Sequence, residues 1–155
     1  MQTEISSDII EWLCRKEITI IAANHAAIDG RLDVLKWLHN NTKGKWTTKV
    51  MDLAAEYGHL DVIKFLHENR TEGCTTEAMD WAAINGRLDI IKWLHENRTE
   101  GCSEWAMIHA AGQGHLDVVK WLYENRTEGN IEWAKMYAGY GKHVDIVNFL
   151  EEIEK

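Results

Sequence analysis

Residues 51–78, 79–106 and 107–134 are three consecutive blocks of 28 residues that align without a gap. The middle block reads MDWAAINGRLDIIKWLHENRTEGCSEWA, and its neighbours are edited copies of it. Self-similarity at a short fixed period specifies one supersecondary unit stacked on copies of itself, each burying its apolar face against the next. Residues that stay constant from copy to copy therefore describe the scaffold. Residues that change describe what the scaffold is used for.

The same register extends in both directions over the 155-residue chain. A degenerate first unit covers residues 23–50 and keeps Gly30, Asp33, Trp37, Leu38 and His39 around a divergent loop, TKGKWTTK. A last unit covers 135–155 and keeps Ala138, His143, Asp145, Ile146, Val147, Phe149 and Leu150. It ends in Glu151, Glu152, Glu154 and Lys155, the polar finish that a terminal cap requires. Residues 1–22 read as an opening cap helix and linker, because 7–13 repeat the pattern of 88–94 with Ser6 or Ser7 placed to cap. The expectation is one domain, 1–155, folded as an all-α, right-handed solenoid of helix pairs.

Within a unit, Thr75 or Thr76 caps a short helix that runs to about Asn85 and ends at Gly86. A second helix runs from about Leu88 to Asn97. At about 100° per residue, Ala78, Met79, Ala82 and Ala83 share one side of the first helix, where a neighbouring backbone can approach closely. Leu88, Ile90, Ile91, Trp93 and Leu94 sweep a wide apolar arc on the second, leaving Asp89, Lys92 and Glu96 wet.

The segments Ala82-Ala83-x-x-Gly86-x-Leu88-Asp89-Ile90-Ile91 and Ala54-Ala55-Glu56-Tyr57-Gly58-His59-Leu60-Asp61-Val62-Ile63 resemble the ankyrin repeat. The resemblance covers the chain from Ala23 and fades in the last unit, where Gly139 replaces the second alanine and Lys142 takes the glycine position. It implies a concave first-helix face on which a partner protein or peptide lies. Two departures limit what carries over. The Thr-Pro-Leu-His opening is replaced by Glu77-Ala78-Met79-Asp80, and the unit is shorter than the family's roughly 33 residues. The missing length falls where ankyrin repeats project a β-hairpin finger, so a short turn is expected there.

Several function classes fit poorly. A formal net charge of −8 opposes general binding to nucleic acid, which needs a concentrated basic face. The one locally basic run, Lys43, Lys45, Trp46 and Lys49, reads as a solvated loop. Cys14, Cys74 and Cys102 form no CxxC pair, and the last two occupy equivalent positions, which suits a reducing compartment. Charges scattered through the first twenty residues interrupt any signal-peptide or membrane-spanning core. A cytoplasmic or nuclear monomer, not secreted and not at a membrane, is expected. The Asn-Arg-Thr sequons at Asn69, Asn97 and Asn125 then read as loop residues.

Histidines recur at His39, His67 and His95 and at His59, His115 and His143, too widely spaced along the stack to share a metal. Asp61, Asp89, Asp117 and Asp145 open the second helices, where the helix dipole favours a carboxylate. No phosphate loop, nucleophile elbow or catalytic pairing stands out, so no catalytic residue, metal or cofactor is assigned.

Variation concentrates on the side of the first helix opposite the alanines, at positions equivalent to 77, 80, 81, 84 and 85. There the units carry Lys49, Glu77, Trp105 and Trp133; Asp52, Asp80, Ile108 and Met136; Leu53, Trp81, His109 and Tyr137; and Tyr57, Asn85, Gln113, Ile84 and Tyr140. Large aromatics on a face that meets solvent suit recognition. Tyr57, Trp81, Ile84, Trp105, His109, Trp133, Tyr137 and Tyr140 are therefore the expected partner-binding residues of a non-catalytic protein-interaction module. The acidic balance favours a partner with basic character. Three alternatives stand beside this: a small-ligand or metal pocket at Trp105, His109, Trp133 and Tyr137; indoles that only fill gaps between first helices; and a structural or consensus segment with no partner of its own. Far-ultraviolet circular dichroism is expected to show helix without a β contribution; a strong β signal would contradict the shortened turn.

Overall fold

The structure, a computed structural model, describes residues 16–154. They form ten α-helices in five pairs, with no strand among the described residues. The pairs are α1 (Lys16–Ile28) with α2 (Leu32–Asn41), α3 (Lys49–Tyr57) with α4 (Leu60–Asn69), and α5 (Thr76–Ile84) with α6 (Leu88–Asn97). They continue with α7 (Trp105–Gln113) and α8 (Leu116–Asn125), then α9 (Ile131–Gly141) and α10 (Val144–Ile153). The opening helix expected at residues 7–13, and Cys14, lie outside the described residues.

Two details of the boundaries differ from the sequence reading. Residues 16–22, read as linker, belong to α1, where Thr19 and Ala23 are fully buried and the run Ile18–Ile21 continues the helix. Cuts at 51, 79, 107 and 135 fall inside first helices, because a period fixes the length of a unit and leaves its starting point free.

First helices stack in one layer and second helices in another, and the first layer is the more tightly packed. Alanine is the reason. Ala26, Ala27, Ala54, Ala55, Ala82, Ala83, Ala110, Ala111 and Ala138 are all buried, and a methyl group lets neighbouring backbones come close. The branched side chains of the second helices point between the layers: Val62, Ile63 and Leu66; Ile90, Ile91 and Leu94; Val118, Val119 and Leu122. Each such side chain contributes roughly 1.5–3 kcal/mol on burial. Second helices stand further apart, leaving an open depression of about 520 Å³ between α2 and α4, lined by Lys36, His39, Lys64 and Phe65 among others. A stack with one tight and one loose layer bends toward the tight one. The first-helix face is therefore the inner face.

The turn inside each pair locks one unit to the previous one. In α7, Gly114 takes φ +85° while His115 N–H donates to Ala110 O at 3.0 Å and Gly114 N–H to Ala111 O at 3.3 Å, a Schellman ending. The His115 ring then reaches back, placing Nε2 3.0 Å from Ile84 O and lying over Gly86. His59 does the same to Ile28 O at 2.9 Å, and His143 to Gly112 O at 3.1 Å. A Cβ on Gly86, whose φ is +67°, would meet His115 Nδ1 at 2.7 Å.

The last unit has the same ending, with Lys142 at φ +62° in the glycine position. A side chain is tolerated there because no further unit among the described residues lies over it. The left-handed backbone still penalises any L-residue with a side chain. Lys142→Gly is expected to raise unfolding stability by about 0.5–1 kcal/mol. Gly86→Ala should lower it by more than that, since it adds a clash to the backbone strain; urea titration of both variants checks the pair.

Candidate functional site

Loop chemistry accounts for most of the polar residues that repeat from unit to unit. Asn69, Asn97 and Asn125 each donate a side-chain N–H to the carbonyl four residues earlier, at 2.9, 2.8 and 2.8 Å, which closes the second helix. Arg70 pairs with Glu72, Arg98 with Glu100 and Arg126 with Glu128, each arginine forking onto both carboxylate oxygens. The Arg98 hydrogen bond holds the Glu100 carboxyl below its usual range, and Arg126 does the same for Glu128. Cys74 and Cys102 are buried beside these pairs, and burial pushes their thiols up to about 12 and about 11. Such thiols stay protonated and inert.

Trp46 corrects the reading of its loop as solvated. It occupies the position of Cys74 and Cys102, is only 4% exposed, and has Arg70 Cζ 4.4 Å from its ring centroid. The first-unit loop diverges because an indole fills the space that a thiol fills later.

One row of the variable stripe belongs to the scaffold instead. Asp52 is buried and accepts from Thr75 N–H at 2.8 Å and Thr75 Oγ1 at 3.2 Å, so it anchors the residue that caps the first helix of the next unit. Asp80 accepts from Ser103 N–H at 2.8 Å and Ser103 Oγ at 2.7 Å in the same way. Burial raises both carboxyls above the ordinary aspartate value, against the hydrogen bonds that lower them. One unit further on the two positions are Ile108, which is buried, and Ile131, which packs on the core. A polar pair has become an apolar pair, so this row varies by compensation between its two members.

Three histidines outside the turn rings are also structural. His39, His67 and His95 each meet the aromatic of the next second helix edge-on, Phe65 at 5.8 Å, Trp93 at 5.3 Å and Trp121 at 5.1 Å. His67 and His95 further receive Arg98 and Arg126 at 3.3 Å on Nδ1.

The remaining rows form an aromatic band on the inner face. Trp81, Trp105 and Trp133 are 40%, 42% and 48% exposed, so they are not sealed between units. Trp105 stacks on His109 at 5.4 Å, His109 meets Tyr137 edge-on at 6.0 Å, and Tyr137 touches both Trp133 and Tyr140 at 6.4 and 6.2 Å. Trp81, Ile84, Trp105 and His109 line one groove of about 530 Å³ with Glu77 and Asp80. Seven of the eight expected residues thus join one band across α5, α7 and α9. Tyr57 is exposed on α3 but belongs to neither the ring cluster nor that groove. Glu77 was read only as one member of a varying row; its place in the groove needed the spacing of α5 against α7.

The architecture is that of a helical-repeat protein whose inner face carries a row of junction residues beside a half-exposed aromatic band. The family described as ankyrin repeats (many copies) matches residues 51–95 and again 79–123, the helix pairs that carry the Ala-Ala-x-x-Gly turn. The matched units, residues 51–123, are ankyrin repeats, and members of that family are in general non-enzymatic protein-interaction modules. No curated protein matches the sequence. No described helix is long and apolar enough to cross a membrane.

The carboxyl shifts set the expected acid response. Asp52 and Asp80, raised above 3.8, take up a proton in the folded state first, so acidification toward that value removes a burial penalty and adds stability. Glu100 and Glu128, held below 4.5, contribute stability that is present above that value and lost as pH falls through their folded-state values. The melting temperature is expected to hold or rise on mild acidification and to fall only below about pH 4. Glu100→Gln with Glu128→Gln should flatten the acid limb, read by thermal melts across pH.

Proposed function

We propose that the inner face of this array binds a partner protein or peptide through the band Trp81, Ile84, Trp105, His109, Trp133, Tyr137 and Tyr140. The carrying observation is that three indoles on successive first helices stay 40–48% exposed while the alanines beside them are fully buried. Large, stiff aromatics supply contact area at small entropic cost, which suits them as anchors. Tyr57 extends the same face toward α3 as a peripheral contact. The ring cluster does not favour a small-ligand pocket, because Trp105 and Trp133 lie on His109 and Tyr137 with interplanar angles of 24° and 29°, stacking instead of enclosing a space.

Replacing Trp81, Trp105 and Trp133 together with alanine is expected to abolish partner capture from cell extract and to leave the melting temperature within a few degrees. A large fall in the melt with capture retained would assign the indoles to packing and remove the binding role.

A further inference from the structure

The groove between α5 and α7 is lined by Glu77, Asp80, Trp81, Ile84, Trp105 and His109. It combines two half-exposed indoles with two carboxylates, and no lysine or arginine lines it. Elsewhere the chain shows what such a combination holds. Arg70 lies 4.4 Å over the Trp46 ring while its guanidinium forks onto Glu72, Nη2 to Oε1 at 2.6 Å and Nε to Oε2 at 3.2 Å. That pairing of indole face and carboxylate is satisfied internally at Trp46 and left open at Trp81, whereas one face of Trp105 is already covered by His109.

We infer that the groove is an anchor site for an arginine side chain of the bound partner, a reading that rests on the proposed inner-face function and specifies its chemistry. A guanidinium is flat and weakly hydrated, so it stacks on an indole and presents a planar fork to a carboxylate at once; an ammonium does only the second well. Glu77 is the carboxylate free for this role. It is exposed in the first turn of α5 and makes no ion pair among the described residues. Asp80 is engaged by Ser103 and supplies negative charge at the groove floor. The formal charge of −8 attracts a basic segment to the chain as a whole, and Glu77 and Asp80 supply the negative charge in the groove itself.

The test uses the blocked peptide Gly-Ser-Arg-Ser-Gly and the same peptide with citrulline, which keeps the shape and removes the charge. Indole N–H resonances of the full chain report the site. Expected are shifts confined to Trp81 and Trp105, binding of the arginine peptide about tenfold tighter than the citrulline peptide, and loss of that preference in Glu77→Gln. Glu77 is exposed, so this variant retains the fold. Equal binding of the two peptides, absence of shifts with either, or shifts on Trp37, Trp93 or Trp121 of the second helices would each overturn the arginine site. Partner capture that needs the indoles yet survives Glu77→Gln would keep the binding face and remove the arginine. Arginine binding without indole-dependent capture would do the reverse.

Discussion

Close contact between alanine-faced first helices is the constraint on which the rest of the molecule depends. Ala54, Ala82, Ala110 and Ala138 recur at one position with no exposed surface, and a larger side chain there would push the neighbouring backbones apart. Because one layer is held tight, the larger second-helix side chains spread the other layer, and the stack curves. That curvature decides which face is inner. The tight layer also decides that the residues flanking the alanines emerge on a continuous surface shared by several units.

Units are held in register by polar contacts that cross from one to the next, and these contacts tolerate substitution only in pairs. Asp52 with Thr75 and Asp80 with Ser103 are joined by hydrogen bonds, whereas Ile108 and Ile131 solve the same junction with apolar surface. Leaving one polar member buried against an apolar partner would cost about 1–3 kcal/mol, which is why both changed. Trp46 and Arg70 show the same coupling at the loop: an indole in place of a thiol draws the arginine onto its face and away from His39, whose Nδ1 has no partner.

Fold class and helix pairs were legible because a repeated sequence averages away local ambiguity. The Ala-Ala-x-x-Gly turn, the apolar arc of the second helix and the Asn-Arg-Thr-Glu-Gly loop each appear several times, and each repetition confirms the period. Most of the aromatic band was legible for the same reason, since Trp81, Trp105 and Trp133 break a pattern that is otherwise kept. Sequence was least informative where change between copies had a structural cause. The row Asp52, Asp80 and Ile108 looked variable, and only the distance to the next unit's first residues shows it to be a junction. Trp46 reads as solvated in sequence because its burial depends on the fold of a neighbouring unit. The start of α1 is not legible because α1, at 13 residues, begins further ahead of its Ala26-Ala27 pair than the nine-residue helices α3, α5 and α7 begin ahead of theirs.

Lys142 gives the array a direction. In every interior junction the left-handed residue is a glycine roofed by an imidazole or guanidinium from the following unit, as Gly58 is by Arg87 and Gly114 by His143. A lysine at that point occupies the space into which such a ring would descend. Duplicating a central block would therefore lengthen the rod by reusing junctions that already fit, while grafting a copy beyond α10 would first require a glycine at position 142. Growth of this scaffold, in the laboratory or by tandem duplication, is easiest from within.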